Sequence, residues 1–259
     1  MLVLLPPSEG KYAPRRGAPL DLDALRSPGL GPARRRVLDA LVAVCRDDPD
    51  AAAAALDLGP TQRDLVSRNA GLATAPTARA DRVYTGVLYD ALDLASLDAG
   101  AKRRAGRRVA VVSALLGLVA PGDRIPAYRL SGQSVLPGLG PVAGVWREAL
   151  GPAVRDALGT GLLVDLRSSA YAAFWRPEPD LAGRTATVRV LHEQDGRRSV
   201  VSHFNKATKG RIVRALLEHG ADPRTPAALA GTVRDLGWTV EEHDQGARGT
   251  RLDVVVRAL

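Results

Sequence analysis

The chain has 259 residues, 46% apolar and 25% charged, which suits a single domain with a sizeable core; aromatics are only 4%, so that core must be mostly Ala, Val and Leu. The net charge of +8 permits nucleic acid or a small anionic metabolite as partner without requiring either. One Cys excludes an intrachain disulfide and a cysteine zinc cluster, and no apolar run approaches the roughly 18–20 residues of a membrane span.

The apolar run Met1–Leu5 stops at Pro6-Pro7, too short and without the basic leader of a signal peptide; it predicts a buried strand and a cytoplasmic protein. A Gly/Pro-rich loop is expected over 12–30 and a helix over 33–46, with Cys45 as a small buried hydrophobe. Further helices are expected over Asp50–Leu56, Thr61–Asn69 and Val87–Leu97. Val109–Val112 reads as a second strand, and Gly117 to Pro141 as irregular chain. Val142–Leu158 reads as a helix that Gly151-Pro152 could break, and Leu162–Leu166 as a third strand. Thr185–His192 and Ser199–His203 alternate across Asp195-Gly196, a hairpin signal. A helix follows over Ala207–His219, stopped by Gly220, then one over Pro226–Leu236. Trp238–Glu242 and Leu252–Val256 form a closing hairpin across Gly246–Gly249. The pattern predicts a mixed α/β chain, 1–259 as one domain, with a mixed central sheet flanked by helices.

Of the 36 Lys and Arg only four are Lys: Lys11, Lys102, Lys206 and Lys209. A bias towards Arg is harmless at ordinary surface positions. It cannot serve a position that needs a compact ammonium or a titratable amine, so a retained Lys is informative. Three of the four sit in two polar segments, Pro6–Lys11 and His203–Gly210.

Polar residues also gather where strands end. Ser8, Glu9 and Lys11 follow the first strand, Ser113 the second, and Asp165, Arg167 and Ser168 the third; His203, Asn205 and Lys206 follow the hairpin. Ligands commonly sit at strand ends in sheets flanked by helices. Lys206, Lys209 and Arg211, read as the first turns of a helix, oppose its dipole, an inconsistency that a bound anion would relieve. No GxxxxGK[ST] loop, GxGxxG, GxSxG or HxxxH occurs, so neither cofactor nor metal is expected.

At these residues the chain resembles the YaaA family of bacterial peroxide-stress proteins. The resemblance runs from Pro6–Lys11 through Tyr84-Thr85-Gly86, Ser113–Pro121, Pro126–Leu130 and Val164–Tyr171 to Ser202-His203-Phe204 and Lys206–Arg211. It implies the family's one-domain fold, protection where peroxide meets free iron, and DNA binding through a helix–hairpin–helix-like element. Two departures stand out. Lys11 lies two positions later than the Lys of relatives. Ala114 replaces a Gly whose backbone N–H could approach a phosphate.

Two functions follow. In the first, a basic surface binds DNA without reading sequence. In the second, the chain is an enzyme or binding protein for a small anionic, nucleotide-like ligand. There Lys206 or Lys11 is the titratable amine, Glu9 or Asp165 the general base, and Arg129 and Arg167 the anion clamps. Ser8, Tyr128, Ser168, His203, Asn205, Lys209 and Arg211 complete the expected binding set, and Ser8, Glu9, Tyr128, Arg129, Asp165, Arg167, Asn205 and Lys206 should line one concavity.

Overall fold

The computed structural model describes residues 1–257 apart from Asp195, with Ser202 and His203 described in backbone only. Among the described residues the main sheet has eight strands. They are β1 (Leu2–Leu5), β2 (Val109–Ser113), β3 (Gly117–Val119), β4 (Leu163–Asp165), β5 (Thr185–Gln194), β6 (Arg197–Ser199), β7 (Thr239–Asp244) and β8 (Thr250–Val256). The order is β7-β8-β5-β4-β1-β2-β3, with β6 paired to β5. Neighbours from β8 through β2 run parallel, while β3, β6 and β7 are antiparallel. This is the mixed sheet that the pattern predicts.

The central strands are continuous apolar runs because both faces are covered. Every residue of β1 and β2 is buried. The helices used below are α1 (Gly31–Asp47), α2 (Asp64–Ala70), α3 (Val87–Leu92), α4 (Ala99–Arg108), α5 (Val142–Leu158), α6 (Ser202–His219) and α7 (Pro226–Asp235). Register brings Leu5 of β1 beside Val111 of β2, and Leu4 beside Asp165 of β4. The carboxyl ends of β1, β2 and β4 therefore lie side by side.

Several expectations shift. α3 stops at Leu92, where Asp93 turns into the left-handed region at φ 40°. The basic run Lys102–Arg108 belongs to α4, a helix that the charge pattern masks. α5 runs unbroken through Pro152. The strand expected over Ser199–His203 ends at Ser199, and α6 begins at Ser202. Asp195 of the expected turn lies outside the described residues. With α6 starting so early, Lys206 stands in its second turn and Lys209 and Arg211 in its third. The dipole's influence has faded there, so the inferred conflict is absent.

Arginine does much of the internal bonding. Arg34 of α1 is fully buried, and its guanidinium donates to the carbonyls of Leu116 at 2.9 Å, Leu118 at 3.0 Å and Arg26 at 2.6 Å. It is therefore part of the interior and not of a basic surface. Arg104 of α4 donates to Leu217 O at 2.6 Å, and Arg108 to Ala221 O at 2.8 Å, which satisfies carbonyls at and just beyond the end of α6. α3 and α6 meet closely at Gly210, where a Cβ would lie 2.3 Å from Leu88 O.

Candidate functional site

The site begins where β1 leaves the sheet. Pro6-Pro7 cannot continue the ladder, so the chain turns out at the carboxyl end of β1. Ser8 Oγ fixes the loop by donating to Gly10 O at 2.6 Å and accepting from Thr85 N at 3.1 Å. Lys11 pairs with Tyr84 as an isolated antiparallel bridge, and this returns its side chain over the strand ends. Its Nζ donates to Ser8 O at 2.7 Å and stands 4.1 Å from the ring centroid of Tyr128. Burial pulls the amine down from 10.5 to about 7; Glu9 opposes the shift and Arg129 adds to it.

A hydroxyl chain runs beneath this amine. Ser113, the last residue of β2, accepts from Leu115 N at 3.2 Å and Leu116 N at 3.0 Å. With its lone pairs engaged, Ser113 donates to Tyr128 Oη at 2.7 Å, and Tyr128 in turn donates to Tyr84 Oη at 3.1 Å. Burial raises Tyr84 to about 12 and Tyr128 well above its usual value, so both phenols stay protonated. Tyr84 stacks on Tyr89 at 5.4 Å, and Tyr89 donates to Pro6 O at 2.6 Å.

At the rim, Arg129 pairs with the exposed carboxylate of Glu9. The backbone of residue 129 is held by Asn69 of α2, a fully buried side chain. It accepts from Arg129 N at 2.9 Å and donates to Arg129 O at 2.7 Å. Arg129 Nε is buried and has no acceptor. A buried donor without a partner costs free energy unless something else supplies one.

The third strand end differs from expectation. Asp165 and Arg167 form a buried, two-pronged ion pair, and Arg167 also donates to Tyr171 O at 3.2 Å and Trp175 O at 3.0 Å. Four of the five guanidinium hydrogens are thereby engaged, which ties the β4–β5 connection to the end of β4. This is a structural pair, where a general base and an anion clamp were expected. Next to it, Lys209 donates to Leu166 O at 3.1 Å, and burial lowers its amine to about 8 against the pull of Asp165. Asn205, one turn earlier on the same face of α6, has a buried Oδ1 without a donor.

Ser8, Glu9, Lys11, Tyr128 and Arg129 thus come together by direct contact. Lys206 does not join them: its side chain is exposed, as are Ser168 and Arg211. The side chain of His203 lies outside the described residues. The lysines whose amines are withdrawn from water are instead Lys11, in this cluster, and Lys209, beside the Asp165–Arg167 pair. The sequence reading places Tyr84 in a family motif without a site role and gives none to Asn69 or Tyr89, although a signal exists: the chain has only five Tyr, and four of them (Tyr84, Tyr89, Tyr128, Tyr171) belong to this neighbourhood. The turn after β2 is also not a phosphate-binding hairpin. Ala114 to Gly117 are all buried, Leu115 N and Leu116 N are engaged by Ser113, and Ala114 O accepts from Trp146 at 2.7 Å.

Open depressions lie elsewhere. One of about 420 Å³ is lined by Tyr12, Arg15, Arg16, Arg82 and Arg124. It shares Arg79 and Arg82 with a second of about 400 Å³ that reaches Lys102, so the two form a continuous basic trough. Among the described residues there is no cluster of three metal-ligating side chains, and no helix is long and apolar enough to cross a membrane.

A family model for the peroxide stress protein YaaA matches residues 1–244. The chain belongs to this family. A UPF0246 protein of Streptomyces coelicolor is 54% identical over 258 residues, 99% of this chain and 98% of that protein. UPF0246 proteins of Corynebacterium efficiens and Corynebacterium glutamicum are 39% and 37% identical, each over more than 90% of both chains. The family match spans both the strand-end cluster and the basic trough.

Proposed function

We propose that this YaaA-family peroxide stress protein acts through a small anionic ligand bound at the strand-end cluster. The observation that carries this reading is the unpartnered, buried Nε of Arg129 beside the enclosed amine of Lys11. Both invite an acceptor, and a carboxylate or phosphate oxygen would satisfy them. Asn69 supports the reading by fixing Arg129 from a fully buried position, an expensive arrangement for a merely solvated arginine. The test is peroxide survival of cells carrying Arg129→Lys or Lys11→Arg, with melting curves to verify folding. Survival should fall with either variant, since neither cation reproduces the other's geometry. Full survival with both folded variants would refute a ligand site here.

The second reading is sequence-indifferent DNA binding that limits damage from iron and peroxide. The basic trough favours it, because Arg15, Arg16, Arg82 and Lys102 are exposed along one open surface. The turn after β2 gives it no support. Binding to unrelated duplexes should weaken steeply from 50 to 200 mM salt, since counterion release drives phosphate contacts. The triple variant Arg15→Glu, Arg16→Glu, Arg82→Glu should abolish it. No binding at low salt would remove this reading.

A further inference from the structure

We propose that Lys11 is an amine nucleophile that forms an imine with a small oxo-acid whose carboxylate is held by Arg129. The inference rests on the ligand reading of the strand-end cluster and adds a covalent step to it.

The geometry supplies three parts. The first is the nucleophile. The Lys11 amine donates to Ser8 O at 2.7 Å, lies over the face of Tyr128 with its centroid 4.1 Å away, and makes only a long contact of 3.5 Å to Glu9 O. Loss of the proton on that weakest contact leaves a lone pair on nitrogen. The charged and titratable groups around the amine are Glu9 from the same loop, Arg129 from the Ala127–Leu130 segment, and Tyr84 and Tyr128 beneath it. Burial and Arg129 disfavour the ammonium; Glu9 favours it but is drawn away by its pairing with Arg129. The amine is consequently half neutral near pH 7. An exposed lysine is neutral there in only about one molecule in a thousand or fewer.

The second part is the anchor. Arg129 Nε is a buried donor without an acceptor, and it offers a carboxylate one N–H that no protein group uses. The third is proton handling. Tyr84 and Tyr128 are protonated phenols joined by a hydrogen bond, and Lys11 Nζ stands 5.8 and 4.1 Å from their ring centroids, so phenolic hydroxyls lie close to the amine.

The step balances as follows. The Lys11 lone pair attacks the carbonyl carbon, and the carbon–oxygen π pair moves to oxygen. One proton passes from nitrogen to that oxygen, giving a carbinolamine. A second proton reaches the hydroxyl, which leaves as water while the nitrogen lone pair forms the C=N bond. Loss of the remaining extra proton from nitrogen regenerates the donor, so no oxidant or reductant is needed.

Having only four lysines makes the test clean, because Lys102 and Lys206 are exposed internal controls and Lys209 is a half-buried one. Purified full-length protein is incubated with glyoxylate and cyanoborohydride, which reduces an imine to N-carboxymethyl-lysine, and every lysine peptide is quantified by mass spectrometry. In parallel, melting is followed with oxalate, which carries the carboxylate but cannot form an imine. At pH 7.5, Lys11 should be labelled at least tenfold faster than Lys102 or Lys206. Its rate should level off above about pH 7 while theirs keep rising. Lys11→Arg should remove the fast label, and oxalate should slow it.

Labelling of Lys11 no faster than the exposed lysines, with oxalate still raising the melting temperature of the wild type but not of Arg129→Lys, would overturn the imine and leave the ligand site standing. Slow labelling together with no response to oxalate would overturn both. Fast labelling with the flat pH profile supports the proposal even if Lys11→Arg fails to fold, because it is read in the wild type.

Discussion

Replacing Lys11 by Met should change how stability depends on pH, and the size of the change can be worked out. The Lys11 amine titrates near 10.5 in the unfolded chain and at about 7 in the folded protein. Between these values the unfolded chain binds a proton that the folded protein lacks, so stability rises with pH across the window. Below pH 7 both states are protonated and the penalty is constant; above 10.5 both are neutral and it vanishes. Integrated from pH 7 to pH 9, the gain is about 2 kcal/mol at about 1.4 kcal/mol per pH unit. Lys209 titrates at about 8 and contributes in the same direction, but it is present in both proteins and cancels in the comparison. Met has a similar length and no charge, so the variant keeps the packing on Tyr128; it loses the hydrogen bond to Ser8 O at all pH values and, in its pH dependence, only this gain. Urea unfolding of wild type and Lys11→Met at pH 7 and pH 9 should give a wild-type increase about 2 kcal/mol larger than the variant's. Parallel pH dependences would refute the burial of the amine on which the ligand site and the imine both draw.

Asn69→Ala should destabilise by about 2–4 kcal/mol, because it leaves both backbone groups of residue 129 without their buried partner; thermal or urea unfolding measures it, and oxalate protection should disappear with it. Gly210→Ala should cost about 1–3 kcal/mol through collision of its Cβ with Leu88 O, visible as a lower urea midpoint at unchanged slope. Lys206→Arg should shift stability by less than about 0.5 kcal/mol and leave Lys11 labelling intact, as befits an exposed residue.

Local pattern determined a large part of this molecule. The buried strands Leu2–Leu5, Val109–Ser113 and Leu163–Asp165 are continuous apolar runs bounded by turn residues, and α1, α5 and α7 carry apolar stripes between caps and breakers. Scarcity of Lys also points to the Pro6–Lys11 segment without any geometry. Other features were beyond its reach. The start of α6 at Ser202 and not at Ala207 carries no local mark, since Val201 at its N-cap offers no capping side chain. The difference between Lys206 and Lys11 is not one of residue type. Lys206 points to solvent from a helix, whereas Lys11 is folded back over the ends of β1 and β2 by a bridge to Tyr84, a residue 73 positions away along the chain. The roles of Asp165 and Arg167 were likewise decided in three dimensions: two residues that look like a base and an anion clamp become a buried pair because the carbonyls of Tyr171 and Trp175 engage the guanidinium. The sequence by itself determined which segments are strands and helices and which rare residues to watch. The tertiary structure decided which of those residues lose water, and desolvation is what turns an ordinary lysine into one with a free amine near neutral pH.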